Sequence, residues 1–304
     1  MQPHWQGVFP AVTTQLHKDE SLDLESTAKH LEALIESGVS GLIMCGSLGE
    51  NQTLDPAEKR QVVELGVKVA RGRIPVLCGV AENTPRLAMA YMRDCERAGV
   101  NGFMIMPAMI YKADLREAMN YFRTMAAATS LPWMLYNNPV GYPVDISPDS
   151  LAQLADIKNL VAVKESSADP RRITEIHNAI GGRFALFVGV DDLALEASIL
   201  GIDGWVAGAG IAFPHENQHF WELTRAGRWD EARQLYRWFQ PLLKLDTHPK
   251  FIQYLKLAVQ ETGLGAEWVR APRLVLVGEE RERVLAVIRR GIAARPKLNK
   301  TSPR

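Results

Sequence analysis

In the stretch Leu160-Val161-Ala162-Val163-Lys164, four apolar residues lead directly to a lysine. Such a short, apolar and β-branched run is typical of a strand that is buried on both faces, as in a parallel sheet. Seven more runs of this kind alternate with amphipathic helical patterns along the chain: 7–13, 41–45, 75–80, 102–106, 132–136, 185–189 and 204–207. Eight strands that alternate with helices predict a closed (β/α)8 TIM barrel of the α/β class.

Helix start signals stand between the predicted strands. Asp55-Pro56-Ala57-Glu58 combines a capping aspartate, a proline in the first turn and a glutamate three residues after the cap. Asp23, Thr84 and Ser147 hold comparable positions before other helical patterns. The last part of the chain is helical throughout, with patterns at 216–226, 229–243, 250–262 and 281–294.

The order of these elements predicts two parts of the chain. We expect residues 1–225 to form the catalytic (β/α)8 barrel and residues 226–304 to form a C-terminal helical extension packed on it.

Composition limits the classes of function. The 304 residues are 47% hydrophobic and 23% charged, as in ordinary globular enzymes. Lys+Arg and Asp+Glu are equal at 35 each, which argues against a nucleic-acid or membrane surface and favours a small-molecule substrate. The sequence has no signal-peptide pattern and no apolar run near the roughly 20 residues that span a bilayer. Three cysteines without paired spacing indicate neither disulfides nor zinc. We therefore expect a cytoplasmic protein.

Lys164 and Tyr136 end the sixth and fifth predicted strands, where barrel enzymes carry their chemistry. Burial of an amine disfavours its charged form, and the neutral amine is a nucleophile for carbonyl or imine carbon. A tyrosine beside that amine can transfer protons. Alternatively, Lys164 could pair with Glu165 or be solvated, and Tyr136 could cap the core.

Two strand-end loops are further candidates. Gly46-Ser47-Leu48-Gly49-Glu50 can form a nest of backbone N–H groups that binds a carboxylate. The Ser47 hydroxyl could then bond the substrate or Tyr136, although an ordinary turn explains this sequence equally well. In Gly189-Val190-Asp191-Asp192 the glycine permits close approach of a ligand. The two aspartates are interpreted mainly as structural residues, either of which could cap the next helix. His215 and His219 lack a carboxylate in register, so no metal site is expected.

Three motifs together resemble the dihydrodipicolinate synthase / N-acetylneuraminate lyase family: Gly46-x-x-Gly49-Glu50, Tyr136-Asn137-x-Pro139 and Val163-Lys164-Glu165. The resemblance covers essentially the whole chain. It implies that Lys164 forms a Schiff base with a small 2-oxo acid or cyclic imine, that Tyr136 relays protons, and that Ser47 is its hydroxyl partner.

The resemblance also implies the surroundings of the substrate. The Ser47–Leu48 backbone would hold the substrate carboxylate, and the carbonyls of Gly189 and Val206 would line the pocket, with Gly49 and Asn138 as further binding residues. No metal or organic cofactor is expected, because the lysine imine is itself the electron sink. Family members are commonly tetramers built as dimers of dimers, so a homo-oligomer, tetramer or dimer, is expected.

Three departures from the family pattern concern the substrate. The synthase branch carries an arginine shortly after its Tyr-Asn-x-Pro motif, where this chain has Val140-Gly141-Tyr142. Leu48 replaces the second hydroxyl residue of the glycine loop. The tyrosine that crosses to a neighbouring subunit in the family is displaced here, so either Met109 or Tyr111 holds its position.

Four segments resemble one branch of the family, the 1-pyrroline-4-hydroxy-2-carboxylate deaminases of bacterial hydroxyproline degradation: 6–14, 107–112, 136–140 and 245–250. This similarity implies that the enzyme converts the hydroxylated pyrroline to 2-oxoglutarate semialdehyde and ammonia. The alternatives are a 2-keto-3-deoxy-sugar-acid aldolase or dehydratase, an N-acetylneuraminate-type lyase, a dihydrodipicolinate synthase, and a non-catalytic sensor that binds a 2-oxo acid.

Overall fold

The computed structural model describes residues 3–107 and 111–298. Eight parallel strands form one sheet in the order β1-β8-β7-β6-β5-β4-β3-β2. A parallel bridge between Ala11 and Ile43 joins the first strand segment to β2, so that the sheet closes on itself. The predicted barrel is confirmed, with strands β1 Gly7–Val8, β2 Leu42–Met44, β3 Val76–Val80, β4 Gly102–Ile105, β5 Trp133–Asn137, β6 Leu160–Glu165, β7 Ala185–Val188 and β8 Gly204–Trp205.

Helices follow the strands around the outside of the barrel and continue beyond β8. Their bounds are α1 Leu24–Glu36, α2 Pro56–Ala70, α3 Pro85–Ala98, α4 Leu115–Ala127, α5 Pro148–Ala152, α6 Arg171–Ile180, α7 Ala194–Ile199, α8 Pro214–Arg225, α9 Trp229–Leu243, α10 Phe251–Glu261 and α11 Gly278–Ala293. None of the helices in the described ranges is long and apolar enough to cross a membrane.

The predicted helix starts are confirmed. Asp55 forms a full capping box at α2, where its side chain accepts from backbone N–H groups of the first turn and Glu58 bonds back to the cap. Asp23, Thr84 and Ser147 cap α1, α3 and α5 through their side-chain oxygens. These caps stabilise the first turns of the four helices and so fix where each of these helices begins.

The helices after α8 contact the barrel through buried polar groups as well as apolar side chains. Lys256 of α10 forms an ion pair with Glu50 at 2.8 Å, and both side chains are fully buried. The Ala266 N–H donates to Oε1 of Gln15 at 2.9 Å. The segment between α9 and α10, a 3₁₀ helix at Lys244–Thr247, lies near the C-terminal ends of β7 and β8.

Candidate functional site

The register of β5 and β6 decides which side chains meet. Tyr136 lies beside Lys164, and Asn137 lies beside Glu165. Because successive residues of a strand point to opposite faces, Lys164 and Glu165 diverge. Glu165 accepts instead from Nδ2 of Asn137 at 3.0 Å and from the Ser167 N–H at 2.6 Å. The alternative in which Lys164 is paired with Glu165 is therefore wrong.

The Lys164 amine is buried against an aromatic face. Its Nζ lies 4.0 Å from the centroid of the Tyr136 ring, and the residue is 6% exposed. Within the described residues the amine has no hydrogen bond or ion pair. Burial lowers the pKa of Lys164, although the negative charges of Asp246 and Asp191 act in the opposite direction. Burial thus increases the fraction of the neutral amine that nucleophilic attack requires, and a solvated lysine is excluded.

Gly189 at the end of β7 makes room for this lysine. A Cβ at this position would overlap Cε of Lys164 and Oγ of Ser166. The Ser166 hydroxyl is buried and has no hydrogen-bond partner among the described residues. The pattern Lys164-x-Ser166 thus places a buried hydroxyl beside the lysine side chain, where it acts to lower the pKa of Tyr136. The sequence analysis did not single out this residue.

Tyr136 is held in the phenol form. Burial raises the pKa of Tyr136 to about 12, and its hydroxyl accepts from Nδ2 of Asn138 at 3.0 Å. Asn138 was expected to bind substrate, but its side chain is engaged within the protein. Its Oδ1 also accepts from the Gly141 N–H at 2.9 Å. Asn138 therefore holds the tyrosine hydroxyl and the turn after β5 in one arrangement.

The hydroxyl partner of Ser47 differs from the expectation. Ser47 Oγ contacts the hydroxyl of Tyr142 rather than that of Tyr136. The rings of Tyr136 and Tyr142 meet edge to face, with centroids 5.7 Å apart. The Tyr142 N–H donates to the carbonyl of Asn138 at 2.8 Å, and this turn brings the ring back over the barrel mouth. Tyr142 therefore lies between Ser47 and the catalytic candidate Tyr136 and interacts with both.

Tyr142 lies in the stretch 140–142, for which the sequence analysis noted only that an arginine is lacking. The tyrosine that this stretch supplies was not singled out. Burial raises the pKa of Tyr142 above its ordinary value, which keeps it a neutral donor and acceptor. An aromatic residue only three positions after Pro139, in a turn-forming stretch, was the available signal.

The glycine-rich loop after β2 presents free backbone donors. In the part of the chain that the structure describes, no protein group accepts from the N–H groups of Ser47 or Leu48. The loop itself is tight: a Cβ at Gly49 would lie 3.0 Å from the carbonyl oxygen of Val12. Gly49 thus allows packing, while Ser47 and Leu48 offer the two N–H groups that a carboxylate can bind.

At the barrel mouth, the carbonyl groups of Gly189 and Val206 accept no hydrogen bond from the described residues. Asp191 is structural: it accepts from the indole N–H of Trp205 at 2.9 Å and from the backbone of Gly208 at 3.1 Å. Asp191 therefore holds the loop after β8 in place and does not cap the helix that follows Asp191 in the chain.

The remaining candidates lie apart from this cluster. Tyr111 is 55% exposed and makes no contact with Tyr136 or Ser47. Met109 lies outside the described residues. Nδ1 of His219 is 4.0 Å from a Glu222 carboxylate oxygen, and among residues 3–107 and 111–298 no group of three or more His, Cys, Asp or Glu side chains is arranged to hold a metal ion.

This chain is similar to known proteins over nearly its full length. Residues 4–290 match the dihydrodipicolinate synthetase family. A 4-hydroxy-tetrahydrodipicolinate synthase of Methanoculleus marisnigri is 32% identical over 274 residues, with 88% of this chain and 93% of that protein covered. A 4-hydroxy-tetrahydrodipicolinate synthase 1 of Halalkalibacterium halodurans is 29% identical over 277 residues, with coverages of 91% and 94%.

Solved structures agree in fold. The 4-hydroxy-tetrahydrodipicolinate synthase of Methylacidiphilum fumariolicum SolV superimposes with a TM-score of 0.90 at 27% identity, covering 95% of this chain and 96% of that one. A dihydrodipicolinate synthase of Bacillus anthracis gives a TM-score of 0.90 at 28% identity, with coverages of 98% and 100%. The chain therefore belongs to the dihydrodipicolinate synthetase family and is a Schiff-base lyase on a (β/α)8 barrel.

Proposed function

We propose that Lys164 forms the Schiff base and that the substrate is a small cyclic imine, 1-pyrroline-4-hydroxy-2-carboxylate, which the enzyme converts to 2-oxoglutarate semialdehyde and ammonia. The observation that carries the chemistry is the buried amine 4.0 Å from the Tyr136 ring, with an uncharged amine favoured by burial. The choice of substrate rests on the similarity of four segments to the deaminase branch and on the residues around the mouth.

In the first steps the neutral amine attacks C2 of the imine. The ring nitrogen takes a proton, the C2–N bond of the ring breaks, and the substrate stays on Lys164 as a ketimine with a free amine on C5. The Ser47 and Leu48 N–H groups would bind its carboxylate. Tyr136, still a phenol at neutral pH, supplies the proton, and such a proton transfer is typically worth about 10²–10⁴-fold.

The later steps use the imine as an electron sink. Loss of a C3 proton gives an enamine, the C4 hydroxyl leaves as water, and the chain tautomerises to an imine at C5. Hydrolysis there releases ammonia, and hydrolysis at C2 frees Lys164. Three hydroxyls would relay the protons at the barrel mouth, those of Tyr136, Tyr142 and Ser47. Tyr142 is bonded to Ser47 and packed on Tyr136.

Dihydrodipicolinate synthesis is the second candidate, because the relatives at 29% and 32% identity carry the synthase name, which favours that alternative over the deaminase. Against it stands the stretch 138–145 after β5, which contains no arginine to clamp the carboxylate of a second substrate. Tyr142 occupies this turn instead and bonds Ser47.

One assay separates these candidates. Purified enzyme is given the hydroxylated pyrroline carboxylate in one reaction, pyruvate with aspartate semialdehyde in a second, and 2-keto-3-deoxy sugar acids in a third. We expect ammonia from the first and no condensation product or pyruvate from the others. Condensation without ammonia would establish the synthase, pyruvate release an aldolase or lyase, and binding without turnover a sensor.

We also propose that the enzyme is a homo-oligomer, a tetramer or dimer, in the cytoplasm. Large apolar side chains are exposed at Tyr111 and Leu115 near the start of α4 and at Ile199 and Leu200 around the end of α7. Such side chains favour contact between subunits. Sedimentation equilibrium of the purified protein would give the mass of the assembly, and a monomer across the concentration range would contradict the proposal.

A further inference from the structure

One carboxyl group at the barrel mouth comes from the helices that follow the barrel. Asp246 lies in the 3₁₀ helix Lys244–Thr247 between α9 and α10. Its carboxyl lies directly against Gly208, just beyond β8, where a Cβ would overlap Oδ1 and Cγ of the aspartate. Gly208 therefore lets a side chain from the C-terminal extension reach the end of the barrel that carries Lys164.

Within the described residues, the Asp246 carboxyl has no hydrogen bond and no ion pair. Asp191, on the other side of Gly208, is by contrast fully used: its oxygens accept from Trp205, from Gly208 and, at 2.5 Å, from the Ala209 N–H. The Asp246 side chain is partly buried, so its carboxyl stays accessible from the barrel mouth. Asp246 is thus the acid of this mouth that is left for a ligand to engage.

The electrostatic surroundings connect Asp246 with the reacting groups. When ionised, Asp246 raises the pKa values of both Lys164 and Tyr136, so it lies within electrostatic reach of each. Burial raises the pKa of Asp246 well above its ordinary value, and the charges of Asp191 and Asp192 act in the same direction, whereas that of Lys164 opposes them. The carboxyl is therefore suited to hold a proton and to donate it.

We propose that Asp246 is a catalytic acid and base that removes the C4 hydroxyl of the substrate and then takes a proton from C5. This inference rests on the proposed deaminase function and names the group that would make the elimination specific to a hydroxylated substrate. The observations that carry it are the unpartnered carboxyl, its place against Gly208 and its electrostatic reach to Lys164 and Tyr136.

The elimination balances with Asp246 in this role. In the enamine, the nitrogen lone pair of Lys164 forms the C2=N bond, the C2=C3 pair forms C3=C4, and the C4–O bond breaks with its electrons on oxygen. That oxygen takes the Asp246 proton and leaves as water. The carboxylate then faces a newly formed iminium cation, so that the charge it gains is stabilised as it forms.

The carboxylate next recovers its proton from the substrate. It accepts a proton from C5, the C5–H electrons form C4=C5, the C3=C4 pair forms C2=C3, and the C2=N pair returns to the Lys164 nitrogen. The resulting dienamine tautomerises to the C5 imine that hydrolyses to ammonia and aldehyde. Asp246 ends this sequence protonated and ready for another turnover.

Asp246→Asn tests the assignment through the adduct that accumulates. With the hydroxylated pyrroline carboxylate, we expect ammonia release to fall about 100-fold or more, while borohydride traps an adduct on Lys164 that retains the elements of the C4 hydroxyl. Trapping of pyruvate on Lys164, which needs no elimination, should persist, because loss of the Asp246 charge only lowers the pKa of Lys164 further. A carboxyl that only supports the fold would impair pyruvate trapping as well.

Two further variants keep the test decisive. Asp192→Asn removes a neighbouring charge and should retain ammonia release, whereas Gly208→Ala should turn the Asp246 carboxyl away and accumulate the same hydroxylated adduct. Full ammonia release by Asp246→Asn overturns the inference and leaves the proposed function intact. Loss of pyruvate trapping in Asp246→Asn, together with normal turnover by Gly208→Ala, also overturns the inference. If the unaltered enzyme releases no ammonia, the proposed function fails and the inference with it.

Discussion

Lys164 combines two properties that a nucleophilic amine requires, burial and the absence of an ionic partner. The strand run before it predicts the burial, and the two-residue period of a strand predicts that Glu165 turns to the other face. Its 4.0 Å approach to the Tyr136 ring depends on the register of β5 against β6, which no local pattern specifies. Its position was therefore predictable from the sequence, whereas its contacts required the fold.

The lowered pKa of Lys164 predicts how imine formation depends on pH. The reactive species is the neutral amine, whose fraction rises with pH and levels off above the pKa. Because burial lowers that pKa, we expect the rate of pyruvate trapping by cyanoborohydride to level off below about pH 10.4, the value of an ordinary lysine. Mass spectrometry across a pH series measures this rate. A rate still climbing at that pH would mean that the amine is not desolvated.

Tyr142 is the residue for which sequence reasoning gave no role. We expect Tyr142→Phe to lower turnover by about 10²-fold while pyruvate binding changes little, because the ring stays and only the hydroxyl bonded to Ser47 is lost. Steady-state kinetics separate kcat from KM. Tyr121→Phe is the matched control, since the buried Tyr121 hydroxyl has no partner among the described residues. Loss of turnover in Tyr111→Phe instead would assign the relay to a neighbouring subunit.

At the scale of elements, the helix starts were predictable because each cap is a local interaction. Asp55, Thr84 and Ser147 accept from N–H groups within three residues of themselves, so a short stretch of sequence contains the whole interaction. Glu50 shows the opposite case. It ends the glycine-rich motif of the site, yet its partner Lys256 is 206 residues away on α10.

The Glu50–Lys256 pair predicts a large effect on stability. Lys256→Met leaves the buried Glu50 carboxylate with the Arg270 N–H at 3.0 Å and a longer ion pair to Arg273 at 3.7 Å. We expect a loss of about 3 kcal/mol in the free energy of unfolding, because the closest charged partner is removed. Urea denaturation measures it. Lys250→Met is the control, because its pair with Glu280 is half exposed and should cost less than about 1 kcal/mol. Equal effects of the two variants would contradict the role of this pair.

At the scale of the whole molecule, we propose that the barrel at 1–225 and the extension at 226–304 form one folding unit. The extension supplies the partner of Glu50, a donor to Gln15 and the Asp246 carboxyl at the mouth. We expect a chain ending at residue 225 to lose near-UV circular dichroism and pyruvate trapping, because buried charges and apolar faces would be uncovered together. A truncated chain that keeps both properties would contradict this dependence.

Trapping on Lys164 tests the central claim most directly. The enzyme is reduced with borohydride in the presence of pyruvate or the hydroxylated pyrroline carboxylate, digested and mapped by mass spectrometry. We predict one adduct, on the peptide that contains Lys164, absent from Lys164→Ala and retained in Lys158→Ala, which alters an exposed lysine. An unmodified Lys164 with either compound, or an adduct on another lysine, would contradict the account.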